Sequence, residues 1–160
     1  MQIKFPFESN KPVSGEASVE IEKRLPEVFA FVGEGFFENY PKWAVEIVDF
    51  VPLDGKRVFI GAKAKQVRKD NDTETESIFA ITDYQPYHKL IFQGLDEPYK
   101  HSYLLEDGEQ TQATRLTFRF ELLELDVFMR PFEKLIRYAI EEGAENTVAN
   151  IKNLIVEEHS

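Results

Sequence analysis

Three histidines, His88, His101 and His159, are the side chains of this sequence that titrate near neutral pH. His101 lies two residues before Tyr103, so on an extended strand both side chains share one face. Facing inward, the pair could act as a general acid and base; His101 can equally be a core or pocket-edge histidine with a hydrogen-bond partner. His88 follows Pro86-Tyr87 and reads as a solvated turn residue, and His159 is penultimate. No two histidines have the helical or strand spacing of a metal site, so no metal is expected. Ser77 and Ser102 lack the flanking glycines of a nucleophile elbow. There is no cysteine, which excludes a thiolate nucleophile, a disulfide framework and a cysteine-based zinc site. Glycine-rich phosphate loops are absent, and no cofactor is expected. Asn71-Asp72-Thr73 matches a glycosylation acceptor but stands without a secretion signal.

The elements that must position these groups are legible from periodicity. Phe5 and Phe7, separated by Pro6, read as part of an extended N-terminal arm over residues 1–13. Ala17, Val19 and Ile21 alternate with Glu16, Ser18, Glu20 and Glu22, a half-buried strand. Pro26 opens a helix whose apolar face is Val28, Phe29 and Val32, and Gly33 with Gly35 should end it. A second short helix, Phe36 to Tyr40, should stop at Pro41. Six strands are expected next, over 45–52, 56–69, 73–82, 89–94, 99–106 and 111–124, joined by turns short enough to make consecutive strands antiparallel. From Phe128 to Glu157 apolar residues recur at helical spacing, bulky at the start and small at Ala139, Gly143 and Ala144. The small residues mark where a sheet can approach closely; the bulky start, Phe128 to Ile136, suits the wall of a pocket.

Hairpin parity separates the faces of the sheet. A two-residue turn at Asn71-Asp72 places Ile60, Ala62, Ala64 and Gln66 with Ser77, Phe79 and Ile81, and sets Lys69 opposite Glu74 on the other face. A two-residue turn at Asp107-Gly108 places Tyr99, His101, Tyr103 and Leu105 with Leu116, Phe118 and Phe120. Arg115 and Arg119 fall outside, where strand carboxylates can pair with them. The inner face is apolar apart from Gln66, Ser77, Tyr99, His101 and Tyr103. Two readings follow: a ligand cavity with a few convergent polar groups, or a core whose polar tips are hydrogen-bonded or wet at strand ends.

Composition bounds the partners. The 160 residues fit a single domain over 14–158 after the arm, and aromatics make up 13%, with 14 Phe and 6 Tyr, enough for a bulky core or a ring-lined cavity. A net charge of −10 repels phosphate backbones and anionic headgroups, which argues against nucleic acid; the one basic cluster, Lys63, Lys65, Arg68 and Lys69, is neutralised by nearby carboxylates. No apolar run reaches the ~20 residues of a membrane span, so no membrane insertion is expected, and a cytoplasmic location is the default.

Strand, two short helices, six antiparallel strands and a long helix is the order of the helix-grip fold, an α+β architecture in which a curved antiparallel sheet of six to seven strands wraps a C-terminal helix. The sequence resembles the START-like (SRPBCC) superfamily, in its polyketide cyclase/dehydrase and lipid-transport branch. The matching residues are Val19-Glu20-Ile21 leading to Pro26-Glu27-Val28-Phe29, Asn39-Tyr40-Pro41-Lys42-Trp43, Gly61, Pro86 to Leu90 with Phe92, and Thr114-Arg115-Leu116-Thr117, over roughly 14–157. The acidic residue common at the helix joint of relatives is offset here to Glu34, between Gly33 and Gly35. The resemblance implies a deep cavity between the sheet and the first half of the last helix. Its implied lining is Trp43, Ile60, Phe79, Ile81, Phe92, Tyr103, Leu116 and Phe118, with Phe128, Met129, Phe132 and Ile136 from the helix. It implies binding or transport of a small hydrophobic or aromatic molecule. The alternatives are a metal-free cyclase or aromatase using His101 and Tyr103, and a protein-interaction domain with a vestigial cavity.

Overall fold

In the computed structural model, which describes residues 11–158, one antiparallel sheet of seven strands carries the alternating segments. They are β1 (Val13–Ile21), β2 (Ile47–Pro52), β3 (Lys63–Asp70), β4 (Thr73–Gln85), β5 (Lys89–Gly94), β6 (Tyr99–Asp107) and β7 (Thr114–Leu122). The spatial order is β1-β7-β6-β5-β4-β3-β2: β2 to β7 form a meander, and β1 adds beside β7. Helices α1 (Leu25–Phe29) and α2 (Phe36–Trp43) follow β1, and α3 (Glu133–Glu158) ends the described chain. Phe5, Phe7 and His159 lie outside the described residues. Among the described residues no helix is long and apolar enough to cross a membrane.

Parity predicts the faces, and turn length sets the register. In β3–β4, Asp70 pairs with Thr73, Lys69 with Glu74, Gln66 with Ser77 and Ala64 with Phe79, as the Asn71-Asp72 turn requires, with Asn71 at φ 58°. Lys65 and Glu76 form an ion pair at 3.1 Å on the outer face. In β6–β7 the faces are as expected, His101 opposite Phe120 and Tyr103 opposite Phe118, but the register is not. Glu106 pairs with Arg115 rather than Glu109, because residues 108–113 form a longer loop. Gly108 N–H donates to Ala113 O (2.9 Å), and Glu20 accepts from Glu109 N–H (2.8 Å), holding that loop closed. An odd–even pairing survives any even change in loop length, so the faces stay correct.

Several boundaries differ for identifiable reasons. β3 begins at Lys63, not Lys56: Gly61 sits at φ +98°, which breaks the pleat, and Ile60 upstream of it turns outward and is 61% exposed. Gly33 and Gly35 do not end the first helix. The chain passes through a π turn, Ala30–Glu34, with Gly35 N–H on Ala30 O at 2.9 Å, and runs on into α2. At Gly33 a Cβ would come within 2.4 Å of the Phe29 ring, so the glycine is required by that ring. Pro41 lies inside α2 rather than stopping it. It removes one intrahelical bond, while Phe36, Phe37, Tyr40 and Trp43 bury one continuous aromatic face. The regular part of α3 starts at Glu133, after a 3₁₀ segment Val127–Phe132, since Pro131 disfavours a helical conformation at Arg130.

The core lies on the inner face of the sheet, under α1, α2 and the second half of α3. Ala144, Val148, Ile151 and Ile155 are the buried stripe of α3. The small residues expected to admit the sheet are mostly elsewhere: Ala139 and Gly143 are exposed, and a Cβ on Gly143 would meet nothing within 4 Å. The close approach belongs to Gly15 of β1, whose Cβ would lie 2.9 Å from Ile140 and 3.1 Å from the Glu141 backbone nitrogen.

Candidate functional site

The inner face of the sheet divides into a filled end and a hollow one. At the filled end α2 lowers its aromatic face onto β4, β5 and β6. Phe36 is fully buried and has the rings of Phe37, Tyr40, Trp43, Phe79, Phe92 and Tyr103 around it at 5.1–6.2 Å. Phe79 and Phe92 stack at 4.0 Å. Aromatic side chains bury large areas with few rotatable bonds, so this cluster leaves little room for a guest.

Most inward polar tips are satisfied within the protein. Tyr40 OH donates to Gln66 Oε1 at 2.9 Å, and Gln66 Nε2 reaches Ser77 Oγ and Tyr99 OH at 3.4 Å each. Ser77 Oγ and Tyr99 OH are 3.0 Å apart. Trp43 Nε1 donates to Tyr103 OH at 3.1 Å. Burial holds the phenols of Tyr40, Tyr99 and Tyr103 above their usual range, so they stay protonated. These polar tips are thus hydrogen-bonded to one another or to Trp43.

His101 is the exception. Its ring packs between Phe92 (4.3 Å), Phe120 (5.0 Å), Phe118 (5.4 Å) and Tyr99 (5.5 Å). The residue is half-buried, yet its Nδ1 is withdrawn from solvent and has no hydrogen-bond partner among the described residues. Such an unpaired nitrogen costs about 1–3 kcal/mol. Burial, with a smaller contribution from the Arg68 charge, pushes the imidazole down to about 3, so it is neutral at physiological pH.

Two open recesses meet at this histidine. One, of about 260 Å³, reaches from the Tyr40, Gln66, Ser77 and Tyr99 network out to Asp70 and Glu97. The other, of about 370 Å³, lies between β7 and the first half of α3, walled by Phe118, Phe120, Leu122, Ile136 and Ile140 and floored by Ala139 and Gly143. Arg68, His101, Phe120 and Leu122 border both. Arg68 stands at the rim, its Nε donating to Asp70 Oδ2 at 2.8 Å, and Glu46 borders the second recess.

The expected lining is thus divided. Trp43, Phe79, Ile81, Phe92, Tyr103 and Leu116 belong to the packed interior. Phe118 and Ile136 border the recess beside α3. Ile60, Phe128, Met129 and Phe132 stand on the surface, at 61%, 82%, 43% and 51% exposure, which corrects their placement in a cavity wall. Leu135, on the same face inside the regular part of α3, is 69% exposed as well, so this face of the helix start lies away from the sheet. Arg68, Phe120, Leu122 and Ile140 are the lining residues left out of the expected set. Parity already puts Arg68 on the Gln66 face and Phe120 on the His101 face, so that signal was present. The remaining polar candidates are accounted for. His88 is exposed, Arg119 pairs with Glu16 (3.0 Å) and Glu121 (2.9 Å), and Arg115 pairs with Glu109 (3.2 Å). Among the described residues no group of three His, Asp or Glu is placed to hold a metal ion.

No family model matches this sequence, and no curated protein matches it significantly. Solved structures do match in shape. The protein TTHA0849 from Thermus thermophilus aligns at a TM-score of 0.73 with 12% identity, over 92% of this chain and 99% of that one. One half of the di-domain ARO/CYC StfQ from the steffimycin biosynthetic pathway aligns at 0.72 with 11% identity, over 94% of this chain and 52% of that one. Ara h 8.0201 aligns at 0.66 with 10% identity, over 91% and 99%. At such identities the likeness is one of backbone architecture. The curved seven-stranded sheet, the short helices after β1 and the long C-terminal helix make this a helix-grip protein.

Proposed function

We propose that this protein is a member of the START-like superfamily that binds or carries a small hydrophobic or aromatic molecule in the cytoplasm, in the recess between β7 and the first half of α3. The observation that carries this reading is an unfilled, apolar-walled recess bordered by His101, in a protein whose neighbouring interior is solid. A pocket lined by apolar side chains with one or two convergent polar groups is the usual form of a small-molecule site.

A cyclase or aromatase using His101 with Tyr103 fits the geometry less well. Tyr103 is 1% exposed, engaged by Trp43 and absent from the lining of both recesses, and a histidine pushed down to about 3 is a weak base at neutral pH. The interaction-domain reading has the exposed Phe128, Met129 and Phe132 in its favour, but nothing in the structure shows what covers them.

Native mass spectrometry of the purified protein, with thermal shift against a panel of lipids and aromatics, tests the proposal. A ligand at a hundred times its Kd adds about 2.7 kcal/mol. For a chain of this size that raises Tm by roughly 5–10 °C. No co-purified mass and no shift across the panel would sink it.

A further inference from the structure

We infer that residues 1–10 of this chain dock on the start of α3, setting Phe5 and Phe7 on the exposed apolar face of Phe128, Phe132, Leu135 and Tyr138. The inference concerns a second surface of the protein and stands whether or not the recess holds a ligand.

The face itself comes first. Phe128, Phe132, Leu135 and Tyr138 follow one another three or four residues apart and are 51–82% exposed. At roughly 150–250 Å² per ring they present on the order of 500 Å², the size at which an exposed patch marks an interaction site. No described residue covers it. The charges of the helix start are engaged with one another: Glu133 is held by Arg130 at 2.6 Å and by Arg137 at 3.0 Å.

The second observation is where the described chain begins. Arg130 Nη2 donates to the Lys11 carbonyl at 2.7 Å, which ties the first described residue to the same helix start. Val13 then enters β1 opposite Leu122, so the chain before it departs from the sheet at this end. Phe7 precedes Lys11 by four residues and Phe5 by six. Extended, those spans are about 13 and 20 Å, against the ~10–12 Å width of a helix. Both rings therefore reach the face, even by passing round the end of α3.

The composition of the segment fits the face better than a second copy of the chain does. On an extended chain Ile3, Phe5 and Phe7 fall on one side and Gln2, Lys4 and Glu8 on the other, and Pro6 favours such a backbone. Lys4 and Lys11 against Glu8 give residues 1–11 a net charge of +1, which leaves −11 on the rest of a chain of −10. The segment is drawn to the body, whereas a second copy approaches against repulsion. Its tether also holds it near the face at an effective concentration of the order of millimolar.

Nuclear Overhauser spectra of the isotope-labelled full chain test the inference. Ring protons of Phe5 or Phe7 should show contacts with the Leu135 methyls or the Phe132 ring. The double substitution Phe5→Ser with Phe7→Ser should erase these contacts and shift the backbone amide signals over 128–138. The signals of the β3–β4 hairpin should stay in place. Leu135→Lys, at a position that is exposed in the folded domain, should speed amide exchange at Phe5 and Phe7 by about tenfold. Absence of any contact from Phe5 and Phe7 overturns the inference, as do unmoved 128–138 signals in the double variant. Contacts that appear only between differently labelled chains mixed in one sample overturn it too, and give the face to a second copy.

Discussion

Phe79 and Phe118 both project from the concave face of the same sheet, at positions equally readable as pocket wall or core. Phe79 ends fully buried, stacked on Phe92 and covered by Phe36 and Tyr40 of α2. Phe118, together with Phe120 and His101, ends beside an open recess. What differs is the element opposite. Helix α2 presents four aromatic residues in eight, which is enough volume to fill the curve of β4 to β6. The first half of α3 presents Ile136 and Ile140 beside Ala139 and Gly143, which is not. A cavity in this fold is therefore set less by the aromatic content of the sheet than by the bulk of the helix facing each part of it, since interiors pack to near-crystalline density wherever side chains can meet.

The sharpest way to break the contrast is to hollow the filled end. Phe36→Ala removes the ring at the centre of the cluster and should cost about 3–5 kcal/mol in urea denaturation. A loss under 1 kcal/mol would mean that this end is loosely packed after all. The hollow end should show itself in acid. His101 titrates near its ordinary 6.5 when unfolded and at about 3 when folded, held down first by burial and then by the Arg68 charge, so the unfolded chain binds the extra proton between those values. Stability should therefore fall as pH drops through that window, by on the order of 3 kcal/mol between pH 7 and pH 4 from this residue. His101→Phe should flatten the slope by that amount relative to wild type; the remaining acid sensitivity belongs to carboxylates such as Asp83, which Lys89 holds below the usual range. Identical slopes would place the imidazole in water.

The two glycines at the α3 interface give the smallest and most local comparison. Gly15→Ala pushes a methyl against Ile140 and the Glu141 backbone nitrogen and should cost about 1–3 kcal/mol. Gly143→Ala meets open space inside a helix and should stabilise by about 0.4–1 kcal/mol. Reversed signs, read by chemical denaturation, would move the clamp from β1 back to the middle of α3.

Much of this was legible beforehand, and particular residues show why. The odd–even rule put His101 with Phe120 and Gln66 with Ser77, since facing depends only on parity. It gave the β6–β7 register wrongly, because the loop over 108–113 is longer than its Asp107-Gly108 signal and is held by Glu20, a residue distant in sequence. Periodicity found the long helix but neither its 3₁₀ first turn nor which part of its stripe is covered: the stripe runs unbroken through Phe128, Phe132 and Leu135, and all three are exposed. Ile60 fell on the wrong side for a similar local reason, the left-handed backbone at Gly61.

Period, parity and composition, which are properties of the chain taken a few residues at a time, thus settled the element order, the inward face of each strand and the absence of thiol chemistry. Which of the inward residues are core and which are site was decided only in three dimensions. That outcome depends on whether α2 or α3 lies opposite, and on whether Gln66, Ser77 and Tyr99 find one another while His101 finds no partner among the described residues. A residue's type fixes its appetite for burial and hydrogen bonds; its neighbours across the fold determine whether that appetite is met.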